Sequence, residues 1–359
     1  MKVPYTYLPE EFAPYGKISR DILREIEAEL QQGRFTLGPA VQEFEEAFAA
    51  VCRTRYAIGV GNGTDALFLI MKAMGIDYHH RVITAPNTFV ATVGAIIQAG
   101  ALPSFWDIGD DYLIHGDTLQ KGDWLLPVDW AGATVNLHGP ARPWAIEDAC
   151  QAIGGAANGL KAGSIGIAAA FSLHPLKNVN VWGDGGVVTT SDEGLAQEIR
   201  LLRNHGLSDR DTWAKPGFNS RLDTIQAIVG LRVLADLEEV TYARIANARR
   251  YDEGLAGIEQ VTIPPRNPYT RHVYHLYQVE VEQRDLLQKH LLEAGIEAKV
   301  HYPTPLHLQP ALAYLGHRRG DFPRAERFCN THITLPIHQY LRNDQIDYTI
   351  EAIREFYER

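Results

Sequence analysis

The run YAIGVGNGTDALFLIMKAMGIDYHHRVITAPNTFVATVGAIIQAGALPSFW, residues 56–106, decides the fold. Tyr56 to Val60, Arg81 to Ala85 and Leu102 to Trp106 are short apolar runs that read as strands. Between them, Thr64 to Met74 and Phe89 to Gln98 are longer and read as helices. Strand and helix alternating in this way predict an α/β domain around a mostly parallel sheet. Ligands of such sheets sit at the carboxyl ends of the strands.

The pattern extends in both directions. Upstream, Ile18, Ile22, Ile26 and Leu30 recur at helical spacing and stop at Gly33. Val41, Phe44, Phe48 and Val51 do the same after Gly38-Pro39. Downstream, Leu125 to Val128, Trp144 to Glu147 and Ala168 to Leu173 read as further strands, and Leu222 to Leu255 as largely helical. The texture then changes. A strand is expected at Val273 to Val281, a helix at Arg284 to Ala294 and a strand near Ala298 to His301. A closing helix carries Ile346, Ile350 and Ile353 on one face behind an Asn343 cap. At 359 residues the chain exceeds the roughly 250–300 at which single cores stop growing. The expectation is therefore a large α/β domain over residues 1–240 and a smaller α+β domain over 241–359.

Bulk properties narrow the function. The net charge of −10 argues against nucleic acid as a partner, since its binding is driven by basic surface. A small anion needs only a local positive pocket. No stretch is long and apolar enough to span a membrane, and the N-terminus lacks the apolar region of a signal peptide. Cys52, Cys150 and Cys329 lie far apart, which argues against a disulfide framework or a cysteine zinc site and fits a reducing cytoplasm.

Three segments carry candidate chemistry. Gly61-Asn62-Gly63-Thr64-Asp65 follows a strand and opens a helix. Free N–H groups and the helix dipole make that position an anion site, and a tight turn with a Thr or Asp cap fits equally well. Its glycines lack the G-x-G-x-x-G spacing of a dinucleotide fingerprint, which counts against a nicotinamide oxidoreductase. Glu147-Asp148 ends an apolar strand, with Gln151 one helical turn on. A carboxylate there serves a metal, a base or a protonated ring nitrogen, or simply caps a helix. Lys177 stands between the apolar run Phe171-Ser172-Leu173 and the turn Gly183-Asp184-Gly185-Gly186. Lysine becomes a Schiff-base nucleophile when burial lowers its pKa, although most loop lysines are solvated. An anion-binding helix start, an acid for a ring nitrogen and a nucleophilic lysine are together what pyridoxal phosphate requires.

At this point the chain resembles the DegT/DnrJ/EryC1/StrS aminotransferases. The resemblance runs through Phe35-Thr36-Leu37-Gly38-Pro39, the Gly61 to Leu67 segment and Thr84 to Phe89. It continues through Glu147 to Ala152, Phe171 to Asn178 and Gly183 to Gly186, then Gly217 to Arg221 and His301 to His307. It implies fold type I of the pyridoxal-phosphate transferases: a large α/β/α domain with a mostly parallel sheet, plus a smaller C-terminal α+β domain. It also implies roles. Lys177 forms the Schiff base, Asp148 pairs with the pyridine nitrogen and Gln151 approaches the ring hydroxyl. Gly63, Thr64 and Ser172 hold the phosphate, and Phe89 packs on the ring. Asn219 reaches the phosphate of a neighbouring subunit, which implies a homodimer with shared sites. Arg221, His301 and Tyr302 lie near the substrate.

Relatives with histidine in place of the lysine act as sugar 3-dehydratases, so Lys177 favours transamination. By resemblance the donor is glutamate and the acceptor a nucleotide-linked keto-6-deoxy sugar, aminated at C3. Its diphosphate calls for a positive patch, for which Lys215, Arg221 and His307 are candidates. A keto-inositol acceptor and a non-catalytic protein that kept the fold are the alternatives. Residues 125–146 are shorter and less regular than the family pattern, and Trp130-Ala131-Gly132-Ala133 is expected to reshape the wall over the cofactor.

Overall fold

A computed structural model describes residues 1–12, 17–116, 119–137 and 139–358. Seven strands form the central sheet. Their order is Tyr56–Val60, Gly186–Thr190, Ala168–Ser172, Ile146–Asp148, Asp123–Leu125, Arg81–Thr84 and Leu102–Phe105. The two halves are joined by parallel bridges from Leu125 to Ala145 and from Val128 to Asp148. All neighbours run parallel except Gly186–Thr190, which is antiparallel to both of its partners. That strand, GVVTT, begins in the glycine run read as a turn and is buried throughout, so no apolar–polar alternation marks it in the sequence.

The period of two sorts side chains onto the two faces. Ala57, Ala169, Phe171 and Val187 point to one face, where they pack with Phe44, Phe48 and Val233 from the helices Pro39–Cys52 and Thr224–Ala235. Ile58, Ala168, Ala170 and Val188 point to the other, under Leu67, Ile96 and Ile199 from the helices Gly63–Ala73, Val90–Ala99 and Glu193–Arg203. Burial on both faces explains why these strands read as continuous apolar runs. Ile22 joins the first core from the helix Lys17–Gln31; the side chain of Ile18 lies outside the described residues.

A separate antiparallel sheet of Val261–Thr262, Tyr277–Val281 and His332–Leu335 builds the C-terminal core. The helices Leu237–Leu255, Arg284–Glu293 and Asn343–Glu358 cover it with Tyr251, Leu291 and Ile350. Val3, from the opposite end of the chain, is in the same core.

Several sequence expectations are corrected. The helical stretch from Leu222 is two helices, Thr224–Ala235 and Leu237–Leu255. No strand forms at Ala298 to His301; only Lys299 bridges to Thr334. Strand pairing starts at Tyr277 rather than Val273, because the N–H groups of Val273 and Leu276 go to the carbonyls of Gly132 and Ala131. Asn343 is itself the first helical residue, and Gln345 turns back to accept the Arg342 N–H at 3.0 Å. The run Trp144 to Glu147 splits into a 3-10 turn ending at Trp144 and a strand from Ile146 to Asp148.

Candidate active site

The site begins where the Tyr56–Val60 strand hands over to the Gly63–Ala73 helix. Asn62 caps that helix, its side-chain oxygen accepting the Asp65 N–H at 2.8 Å. The N–H groups of Gly63 and Thr64 have no partner inside the helix, as its first turn dictates. A Cβ on Gly63 would lie 2.9 Å from both Ser172 Cβ and Cys150 Sγ, so only glycine lets the helix start press against the end of the Ala168–Ser172 strand. The anion-site reading of this segment therefore gains a packing reason for its glycine.

Asp148 ends its strand at the sheet's carboxyl edge. Its Oδ2 accepts a hydrogen bond from Thr92 Oγ1 at 2.8 Å, and Thr92 is in turn bonded to Thr88 at 2.9 Å. Its Oδ1 accepts the Cys150 N–H at 3.3 Å. Gln151 Oε1 accepts the Ala131 N–H at 2.8 Å, which leaves the amide NH2 as the end free for a ligand. Ala131 sits at φ 59 within the irregular Trp130–Gly132 turn. That turn, expected to reshape the wall over the cofactor, does not itself line the cavity that holds Gln151. It orients Gln151, and its buried Trp130 donates from Nε1 to Gln278 at 2.8 Å.

Lys177 follows the Ala168–Ser172 strand in a tight turn closed by its own N–H to His174 O at 2.8 Å. Among the described residues its ammonium has no hydrogen-bond or ion-pair partner. Burial pulls its pKa below the usual lysine value, opposed by the nearby Cys150 and Asp148. Cys150 is itself pushed well up by burial and stays a neutral thiol. The shift is in the direction of the neutral amine, the form that attacks a carbonyl.

A cavity of about 580 Å³ gathers these groups. Of the residues singled out from sequence, Gly63, Thr64, Asp148, Gln151, Ser172 and Lys177 line it. So do Phe89, His301 and Tyr302, with the Phe89 and Tyr302 rings 5.5 Å apart. Burial pushes His301 down to about 4, so its ring is neutral near pH 7. Asn219 and Arg221 do not line the cavity of their own chain. Asn219 is exposed and bridges Asn204, whose side chain Arg221 contacts at 3.2 Å. Two of the candidates for a positive patch are spoken for: Lys215 is paired with Glu198 at 2.7 Å, and His307 is buried against Glu326 at 3.0 Å. Sequence reading missed Thr92, Tyr5 and His275, which also line the cavity. Thr88 and Thr92 stand one helical turn apart, a usable signal; Tyr5 and His275 leave none.

The residues present fit pyridoxal phosphate. Among the described residues the amine has no partner, the carboxylate is oriented by donors, and the helix start is bare because a side chain would collide. A doubly covered, mostly parallel sheet with such a lysine at its carboxyl edge defines a fold type I pyridoxal-phosphate enzyme. The chain belongs to the DegT/DnrJ/EryC1/StrS aminotransferase family, whose model matches residues 17–354. It is 36% identical to a pleiotropic regulatory protein of Geobacillus stearothermophilus, with 99% of each chain covered. It is 37% identical to the dTDP-3-amino-3,4,6-trideoxy-alpha-D-glucose transaminase of Streptomyces venezuelae, over 100% of this chain and 97% of that one. The crystal structure of S. venezuelae DesV in complex with a ketimine intermediate superposes with a TM-score of 0.93 at 36% identity, over 100% of this chain and 99% of that one. The protein is thus a pyridoxal-phosphate-dependent aminotransferase.

Proposed function

We propose that this enzyme moves an amino group from glutamate to C3 of a nucleotide-linked keto-deoxy sugar, acting in the cytoplasm as a homodimer with shared sites. The observation that carries the reading is the buried Lys177 amine, without a partner among the described residues, in a cavity that also presents Asp148 and the Gly63 helix start. The nucleotide-sugar acceptor is supported by the transaminases among its relatives.

The bound cofactor supplies an electron sink through which an amine and a carbonyl are exchanged. In this reading the N–H groups of Gly63 and Thr64, with Ser172, hold its phosphate. Asp148 would accept the N–H of the protonated ring nitrogen, and the Thr92 bond keeps that carboxylate aimed. Gln151 would donate its free NH2 to the ring oxygen, and Phe89 would pack against the ring. Lys177 would hold the cofactor, and its Nζ would take and return the proton at the reacting carbon. Tethering the base beside that carbon replaces a bimolecular encounter. Asn219, exposed on its own chain, serves the neighbouring subunit's site.

The test offers purified enzyme a panel of keto-sugar nucleotides with glutamate and detects the amine by mass. Amination of a 3-keto sugar nucleotide is expected. Turnover of a keto-inositol alone would assign the enzyme to cyclitols instead.

A further inference from the structure

Residues 1–12 carry no motif, yet they cross the molecule from the C-terminal core to the lysine. Val3 donates its N–H to Gly295 O at 2.9 Å and accepts the Glu297 N–H at 3.0 Å. The carbonyls of Lys2 and Pro4 are held by Gln345 Nε2 at 3.0 Å and His338 Nε2 at 3.1 Å. The chain then reaches the active-site turn. The Tyr7 hydroxyl donates to the backbone carbonyl of Lys177 at 3.0 Å. The same carbonyl accepts from Asn180 Nδ2 at 3.4 Å, and that amide also donates to Glu11 Oε2 at 2.8 Å.

Tyr7 is built to stay in place. Its ring is 3% exposed and packs against His338 and Tyr340, with centroids 5.4 and 5.9 Å away. The Arg244 guanidinium lies 5.2 Å over its face, and Arg244 is itself bonded to Tyr274 O at 3.0 Å. Burial raises the phenol's pKa, so the hydroxyl remains a donor. A lysine side chain is long and flexible, and its amine is placed only as well as its backbone is. Hydrogen bonds to the carbonyl set the peptide plane from which the Cα–Cβ bond departs.

We propose that Tyr7 is a positioning residue for Lys177, and that the N-terminal segment fixes the backbone of the lysine against the C-terminal core. This rests on Lys177 being the residue that attaches the cofactor. The test uses full-length protein stripped of cofactor and mixed with pyridoxal phosphate. Timed borohydride quenching and mass analysis of the Lys177 peptide give the rate of covalent attachment. Tyr7→Phe keeps the ring and loses only the hydroxyl. It is expected to slow attachment about tenfold or more, as misplacement of a reacting group does, and to shift the pH midpoint of the bound cofactor's visible band. Binding of pyridoxamine phosphate, which needs no lysine attachment, stays within about twofold. Tyr340→Phe, which alters a neighbour of the Tyr7 ring, leaves the attachment rate unchanged. An unaltered rate and midpoint in Tyr7→Phe would overturn the proposal. Equal loss of pyridoxamine phosphate binding would overturn it too, by showing a general structural role. Wild-type protein that attaches cofactor without modification at Lys177 would instead remove the underlying assignment of the lysine.

Discussion

At the scale of single residues, the site works by contrast between neighbours. Among the described residues the Lys177 amine has no partner, and the Asp148 carboxylate has two. An unpaired amine that burial pulls toward neutrality is a nucleophile. A carboxylate held by Thr92 and the Cys150 N–H is a fixed charge, which stabilises a cation because it need not reorganise. Lys177→Ala is therefore expected to abolish turnover while pyridoxamine phosphate still binds, as measured by titration of the variant. A near-normal rate would show that another group carries the proton. Asp148→Asn keeps the shape and loses the charge. Its rate should fall about 10²-fold or more with an unchanged far-UV spectrum, and an unaltered rate would take Asp148 out of the ring-nitrogen role.

At the scale of elements, the segment bearing His301 and Tyr302 depends on a neutral imidazole beneath it. His332, fully buried in its strand, donates from Nδ1 to Phe328 O at 2.6 Å and accepts the His301 N–H at Nε2 at 2.9 Å. Protonation would place two donors face to face. Burial accordingly pushes His332 down to about 3 and His301 to about 4, from the usual 6.5. Between those values the unfolded chain binds more protons than the folded one. Their contribution to stability is thus present above about pH 6.5 and is lost as the pH falls, toward about 4 for His301 and about 3 for His332. The urea midpoint should drop between pH 7 and pH 5, and drop less in His332→Gln. Equal drops in the two proteins would mean that His332 does not report this change.

Over the whole molecule, the proposed homodimer requires each chain to lend a residue to its neighbour's site. Asn219 is exposed and away from the cavity of its own chain, as expected for a residue that serves a neighbour. Complementation tests this directly. Lys177→Ala and Asn219→Ala proteins are each expected to be impaired alone. In a mixed dimer one site keeps both native residues, so random re-pairing should recover roughly a quarter of wild-type sites. Recovery of no activity would place Asn219 in the site of its own subunit, and an unimpaired Asn219→Ala protein would place it outside any site.

What the amino-acid order determined by itself is local. Apolar runs of strand and helix length declared the alternating α/β half, because strands buried on both faces need no polar residues. Gly63, Asp148 and Ser172 were legible because each stands at a strand end or helix start, where the backbone already fixes what a side chain faces, and Gln151 and Lys177 because they lie in the turns that follow those strands. Tertiary structure alone decided the rest. The antiparallel Gly186–Thr190 strand, the hold of Thr92 on Asp148 and the orientation of Gln151 by Ala131 all join residues far apart in the chain. The same is true of the reach of Tyr7 to Lys177, and of the withdrawal of His307 and Lys215 into ion pairs. Such contacts follow from packing across elements, and neither periodicity nor motif spacing encodes which distant surfaces will meet.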